Sequence, residues 1–387
     1  MCPSYMATGE EMHSTRGRAR LLFEMQRGET LQGGWQEPAV FEAMGLCLSC
    51  KGCKGECPVN VDMATYRAEF LSHYYEGRAR PLHVRGFAAI DRWARMASRM
   101  PGLVNLLTQS APTAALIKKL GHIAPQRQLP RFAAQSFEDW FELRPPVNTD
   151  ARRVLLWPDT FNNYLHPQVL RAAVRVLEHA RWQVLLPPTG LCCGRPLYEA
   201  GLIDRAREYL QRIMDTLAEE IRDGVPIVGL EPACVSVFRD ELPNLFPFSE
   251  QARRLCKQMM TLSEFLEKRC DDISYPQLAR HALVHGHCHH KAVLKMDADH
   301  AVMRRIGLDA DMLDAGCCGM AGSFGFDRDK YQVSMTCAER ALLPRVRAAP
   351  AGSLVMADGF SCREQVAQAT GQRPLHLAEV IAMGLRP

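Results

Sequence analysis

The chain has 387 residues, 47% of them apolar, and a formal net charge of +4. That length gives room for two or three domains with sizeable cores. So small a charge, without a long basic run, excludes a dedicated nucleic-acid binder, and no apolar stretch nears the roughly eighteen residues of a spanning helix.

Fifteen cysteines follow a polar start that has no apolar signal segment. Their clustering argues for metal ligation in a reducing, cytoplasmic compartment, not for disulfides. Peripheral contact with the inner face of the cell membrane stays open.

Residues 1–80 read as a cluster-binding unit. Cys2-Pro3 has the form of the end of a C-x2-C-x2-C-x3-C-P run whose earlier cysteines are absent. A helix is expected over residues 10–27, with a break at Gly33-Gly34. Residues 47–58, Cys-Leu-Ser-Cys-Lys-Gly-Cys-Lys-Gly-Glu-Cys-Pro, form a complete run of this kind. It is the spacing that holds iron–sulfur clusters in bacterial-type ferredoxins, and its fourth cysteine ligates the other cluster of a pair. A zinc knuckle, the alternative, usually pairs two C-x2-C units across a longer gap. Cys47, Cys50 and Cys53 are therefore expected to take Cys2 as the fourth ligand of one 4Fe-4S cluster. Cys57 is left for a cluster whose other ligands lie in an upstream partner or longer parent protein, or else is idle. The chain thus reads as a fragment or a split subunit. The plainer reading of Cys2 is an ordinary thiol near a terminus. A second helix is expected over residues 61–75, with Asp62 at its start.

Residues 81–150 read as a helical connector punctuated by prolines. Phe87, Ile90, Ala94 and Ala97 form one stripe, flanked by Arg92, Arg95 and Arg99. Such a stripe suits packing on the protein itself, the simpler reading, or contact with a partner or an anionic membrane surface.

From residue 151 strands and helices alternate. Strands are expected at 152–157, 183–186 and 226–230 in a first unit, residues 151–275. They recur at 282–284, 311–313 and 354–356 in a second, residues 276–387. Helices are expected at 167–180, 203–222, 299–306 and 331–346. Cys-Cys-Gly and a later cysteine recur in both units, which points to an internal duplication. The fold class is α+β and α/β: a helical ferredoxin-like unit, a helical connector, then two duplicated α/β cysteine-rich (CCG) units with parallel sheets.

The cysteines fall just past strand C-termini, where open α/β sheets bind ligands. Cys288, Cys317, Cys318 and Cys362 can together hold one cluster. The first unit offers Cys192, Cys193 and Cys234, with Thr160 where the second has Cys288. One thiolate short, that site holds a cluster with a non-cysteine ligand, holds zinc, or is empty. All seven could instead be buried structural cysteines. His285, His287, His289 and His290 could ligate metal or relay protons; the simpler reading is that one or two bond to cluster sulfides or backbone and the rest face solvent. Cys256, Cys270 and Cys337 have no ligand spacing.

These motifs resemble the iron–sulfur subunits of respiratory flavin dehydrogenases, such as glycolate oxidase and anaerobic glycerol-3-phosphate dehydrogenase, and the cysteine-rich subunit of heterodisulfide reductases. The segments Cys2-Pro-Ser-Tyr, His13-Ser-Thr-Arg-Gly-Arg-Ala-Arg, Trp157-Pro-Asp-Thr-Phe-Asn-Asn and Ala357-Asp-Gly-Phe-Ser-Cys362 look most like the C-terminal half of fused FAD-linked D-2-hydroxyacid dehydrogenases. The resemblance implies an electron-transfer module that drains a flavin towards quinone or another carrier. No G-x-G-x-x-G opens a strand–helix unit, so FAD is expected on a missing N-terminal domain or a partner subunit. A catalytic unit that reduces a disulfide at a cysteine-rich cluster is the alternative.

Overall fold

The computed structural model describes residues 2–385. Its first part is helical. Ser14 accepts a hydrogen bond from the Gly17 N–H at 2.8 Å and starts the helix Thr15–Arg27. The helix expected from residue 10 therefore begins later, because this cap interrupts the backbone. Asp62 caps Met63–Tyr74 in the same way, through the Thr65 N–H.

Two parallel sheets follow. The first contains β1 (Arg153–Trp157), β2 (Gln183–Leu185), β3 (Ile227–Gly229) and β4 (Met259–Thr261), in the order β2-β1-β3-β4. The second contains β5 (Arg280–Val284), β6 (Leu308–Met312) and β7 (Leu354–Met356), in the order β6-β5-β7. Each unit thus has its first strand at the centre, its second on one side and its third on the other. That shared order is the structural form of the duplication. Val154 to Trp157 are all buried, the continuous apolar run that a parallel sheet covered on both faces requires.

The two units share one core. Val154, Val228, Ala282, Met356 and Ile381 lie in a single buried cluster. Leu377–Gly384, the last helix, packs on Pro167–His179 of the first unit. Several expectations change. β4 has no counterpart among the expected strands. Residues 203–222 form two helices, Ile203–Thr216 and Ala218–Asp223, broken at Leu217. Residues 331–346 form two as well, Tyr331–Glu339 and Leu342–Arg347, because Ala341 leaves helical geometry at φ −148°.

The connector packs largely on the protein itself. Ala94 is buried, and the Tyr209 hydroxyl donates to the buried Asp91 at 3.2 Å. Its outer face is another matter: Trp93, Met96, Met100, Leu106, Leu116 and Leu120 are all exposed.

Candidate iron–sulfur centres

The ferredoxin-like loop is held in a shape that its own sequence disfavours. Ser49 and Lys51 have φ of 51° and 58°, left-handed values that a non-glycine residue adopts only when its surroundings impose them. Both residues are anchored. The Ser49 carbonyl meets His289 Nε2 at 2.8 Å. Lys51 Nζ, fully buried, lies 2.9 Å from Asp62, 2.6 Å from Asp240 and 3.0 Å from Glu241. Burial alone would depress the Lys51 ammonium, but the Glu241, Asp62 and Asp240 carboxylates outweigh it and hold it above its ordinary range.

Cys2 is brought to this loop from the start of the chain. Arg18, itself buried, spans the gap. It donates to Cys2 Sγ at 3.0 Å, to Ser4 Oγ at 2.8 Å and to the Ala43 carbonyl at 2.8 Å. Burial pushes Cys2 up, but Arg18 and Ser4 win and draw its thiol down. Cys50 and Cys53 are both raised by burial, and both also feel the charges of Cys47 and Cys2. The Gly52 N–H points at Cys50 and the Met63 N–H at Cys53. Cys2, Cys50 and Cys53 each meet an N–H donor, which fits the needs of a cluster's thiolate ligands. Cys57 is different. The N–H groups of Val61 and Val59 draw its thiol down, and it stands in the outward part of the loop.

The second unit brings its four thiols together. Cys318 accepts from Cys317 and Cys362 and is drawn well below its ordinary range, while Cys317 and Cys362 are forced up. Cys288, a free thiol, stands close enough to help raise Cys317. His285, Cys318 and Cys362 offer ligand atoms that all lie within 4.8 Å of one another. His285 stands against Cys318 and helps to draw its thiol down. All four histidines of this stretch are buried, so the expectation that some face solvent does not hold. His289 turns instead to the ferredoxin-like loop, and burial pushes His287 down to about 3. Sequence reasoning missed these roles because each depends on a partner far along the chain.

In the first unit Cys193 Sγ lies 3.2 Å from Cys234 Sγ, and Cys192 bonds to Cys193. Thr160 opens the short helix Thr160–Tyr164, after the cap Asp159. The surroundings are acidic. The bond with Cys193 lowers Cys234, but burial and the charges of Asp159 and Glu231 raise it to about 11.

Residues 1–62 match the family described as 4Fe-4S dicluster domain, and residues 159–239 match the cysteine-rich domain family. The chain carries both domains. Iron–sulfur clusters are therefore its cofactors. Over 97% of its length it is 25% identical to D-2-hydroxyglutarate dehydrogenase of Pantoea ananatis, of which the match covers 41%. It is 26% identical to a subunit of the anaerobic glycerol-3-phosphate dehydrogenase of Escherichia coli, over 73% of this chain and 72% of that one. It is 25% identical to lactate utilization protein A of Bacillus licheniformis, over 54% of this chain and 91% of that one. The chain thus spans about two fifths of the length of the D-2-hydroxyglutarate dehydrogenases it matches. A match of nearly the whole chain to part of a longer dehydrogenase is the relation expected of the iron–sulfur half of a fused enzyme.

The asymmetry between the two cysteine-rich units gives an expected result. Cys318→Ala should lower the iron content of anaerobically purified protein, and Cys193→Ala should lower it less or not at all. A three-thiolate site among carboxylates is the weaker cluster site, although zinc could still bind there. Equal iron loss from both variants would refute this reading.

Proposed function

We propose that the chain is the electron-transfer module of an FAD-linked 2-hydroxyacid dehydrogenase of the lactate, glycolate or 2-hydroxyglutarate type. It takes electrons from flavin on an N-terminal domain or partner subunit and passes them to quinone or another carrier. Cys2, Cys47, Cys50 and Cys53 would hold one cluster, and Cys288, Cys317, Cys318 and Cys362 another. The working divisions are residues 1–80, 81–150, 151–275 and 276–387.

One observation carries this reading. Cys50 lies within electrostatic reach of Cys288, and both pack against the small apolar cluster of Leu48, Cys317 and Phe324. The two ligand sets meet at a shared boundary. A cluster, when bound, accepts and gives up single electrons. The polypeptide keeps the two sets adjacent and dry: Leu48 and Phe324 exclude water, and His289 and Lys51 fix the loop.

The exposed connector face, with Trp93, Leu106, Leu116 and Leu120 beside Arg99 and Lys119, supports contact with an anionic membrane surface, where a quinone acceptor dissolves. No described helix is long and apolar enough to cross a membrane. Cys317, Cys318 and Cys362 are 6%, 3% and 1% exposed, which suits electron transfer better than attack on a disulfide substrate.

Stopped-flow mixing tests the proposal. Visible bleaching of the clusters should require both an FAD-bearing partner and a hydroxyacid, since the chain's thiol sites offer nothing to take the α-hydride. Bleaching by D-lactate, glycolate or D-2-hydroxyglutarate alone would overturn it. Turnover of a disulfide by the reduced protein would favour the reductase reading.

A further inference from the structure

Behind the second cysteine set lies a polar group that the electron path does not use. His290 follows β5, Asp299 lies on the helix Asp297–Arg305, and Asp358 follows β7. One ligand atom from each lies within 4.8 Å of the other two. His290 is 1% exposed and Asp299 3%. His290 Nε2 and Asp299 Oδ2 face each other as a buried ion pair at 2.9 Å; burial opposes the charge, but the Asp299 carboxylate, with Asp358 behind it, holds the imidazole above its ordinary range. Two carboxylates facing one buried imidazole leave negative charge that a cation would neutralise. Two cavities of about 20 and about 10 Å³ meet at these side chains, room for one small ion and a water.

We propose that His290, Asp299 and Asp358 form a mononuclear site for a divalent cation of the Mn²⁺, Fe²⁺ or Zn²⁺ class. One imidazole nitrogen and two carboxylates match the ligand preference of these ions, and two negative charges neutralise a dication. Two ligand atoms 2.9 Å apart, each about 2.1 Å from an ion, subtend about 90° at it, the angle between neighbouring ligands of an octahedral centre. Asp358 is oriented from behind, as metal ligands usually are: the Leu377 N–H donates to its Oδ1 at 2.9 Å. The ion would tie the loop bearing Cys288 to the segment leading into Cys362. It would thereby brace the cysteine set from a face the cluster does not occupy.

Manganese is the probe, because it avoids thiolates and so ignores the cysteine sites. The cluster-loaded chain is purified anaerobically, analysed for metals other than cluster iron, stripped with EDTA and titrated with Mn²⁺ by electron paramagnetic resonance. Wild type should bind one Mn²⁺ per chain, and its melting temperature should rise on addition. Asp299→Asn should bind at least about tenfold more weakly and show no rise, with visible cluster absorbance unchanged. If Asp299→Asn loses its clusters, His290→Gln decides by the same two readouts. Wild type that binds no stoichiometric Mn²⁺ and retains no other divalent ion, or a variant that binds as tightly as wild type, would overturn the site.

Discussion

Cys50→Ser is expected to remove one cluster's worth of iron, about four atoms per chain, together with one reduced-state paramagnetic signal. Cys57→Ser should leave both nearly unchanged in this chain. The contrast follows from placement. Cys50 lies in the convergent group with Cys47, Cys53 and Cys2, where Arg18 supplies a charged donor. Cys57 faces outward and takes only backbone N–H groups. Equal iron loss from the two variants would mean that the fourth ligand is not Cys2.

Lys51→Met should cost about 3 kcal/mol of stability, since it removes the one buried cation shared by Asp62, Asp240 and Glu241 and leaves only the half-buried Lys54 on the two aspartates and Arg195 on Glu241. Lys54 also pairs with Asp240, but its side chain is 31% exposed. Lys54→Met should therefore cost about 1 kcal/mol or less. Chemical denaturation of the anaerobic protein would measure both. The Lys51 variant should also shed the cluster of the ferredoxin-like loop first, because its left-handed backbone at Ser49 and Lys51 loses an anchor. Similar costs for the two variants would contradict the clamp.

The cysteine spacings and most strands were legible in the sequence, because a buried parallel strand is a continuous apolar run and its ligands sit at strand ends; β6 starts three residues before its expected place, since Asp309 and Asp311 interrupt its apolar run. The element β4 was not: its three residues, Met-Met-Thr, lie between helices and carry no β-branched run. The split at Ala341 did leave a mark: Pro344 has no N–H to give and is tolerated only in the first turn of a helix, which is where it sits in Leu342–Arg347. The site's supports were illegible for a different reason. Lys51 meets Asp240 and His289 meets Ser49 across 189 and 240 positions, and no local pattern encodes such pairs. The buried histidines misled for the same cause: four polar rings in six residues look like a solvated loop until the ferredoxin-like unit covers them.

The central claim is that the two ligand sets adjoin, so that an electron can pass from one to the other. Paramagnetic resonance of the fully reduced protein tests this most directly. Neighbouring reduced clusters couple magnetically, so the wild-type spectrum should differ from the sum of the spectra of Cys47→Ser and Cys318→Ala, each of which retains one cluster. A wild-type spectrum equal to that sum would place the clusters apart and contradict the relay.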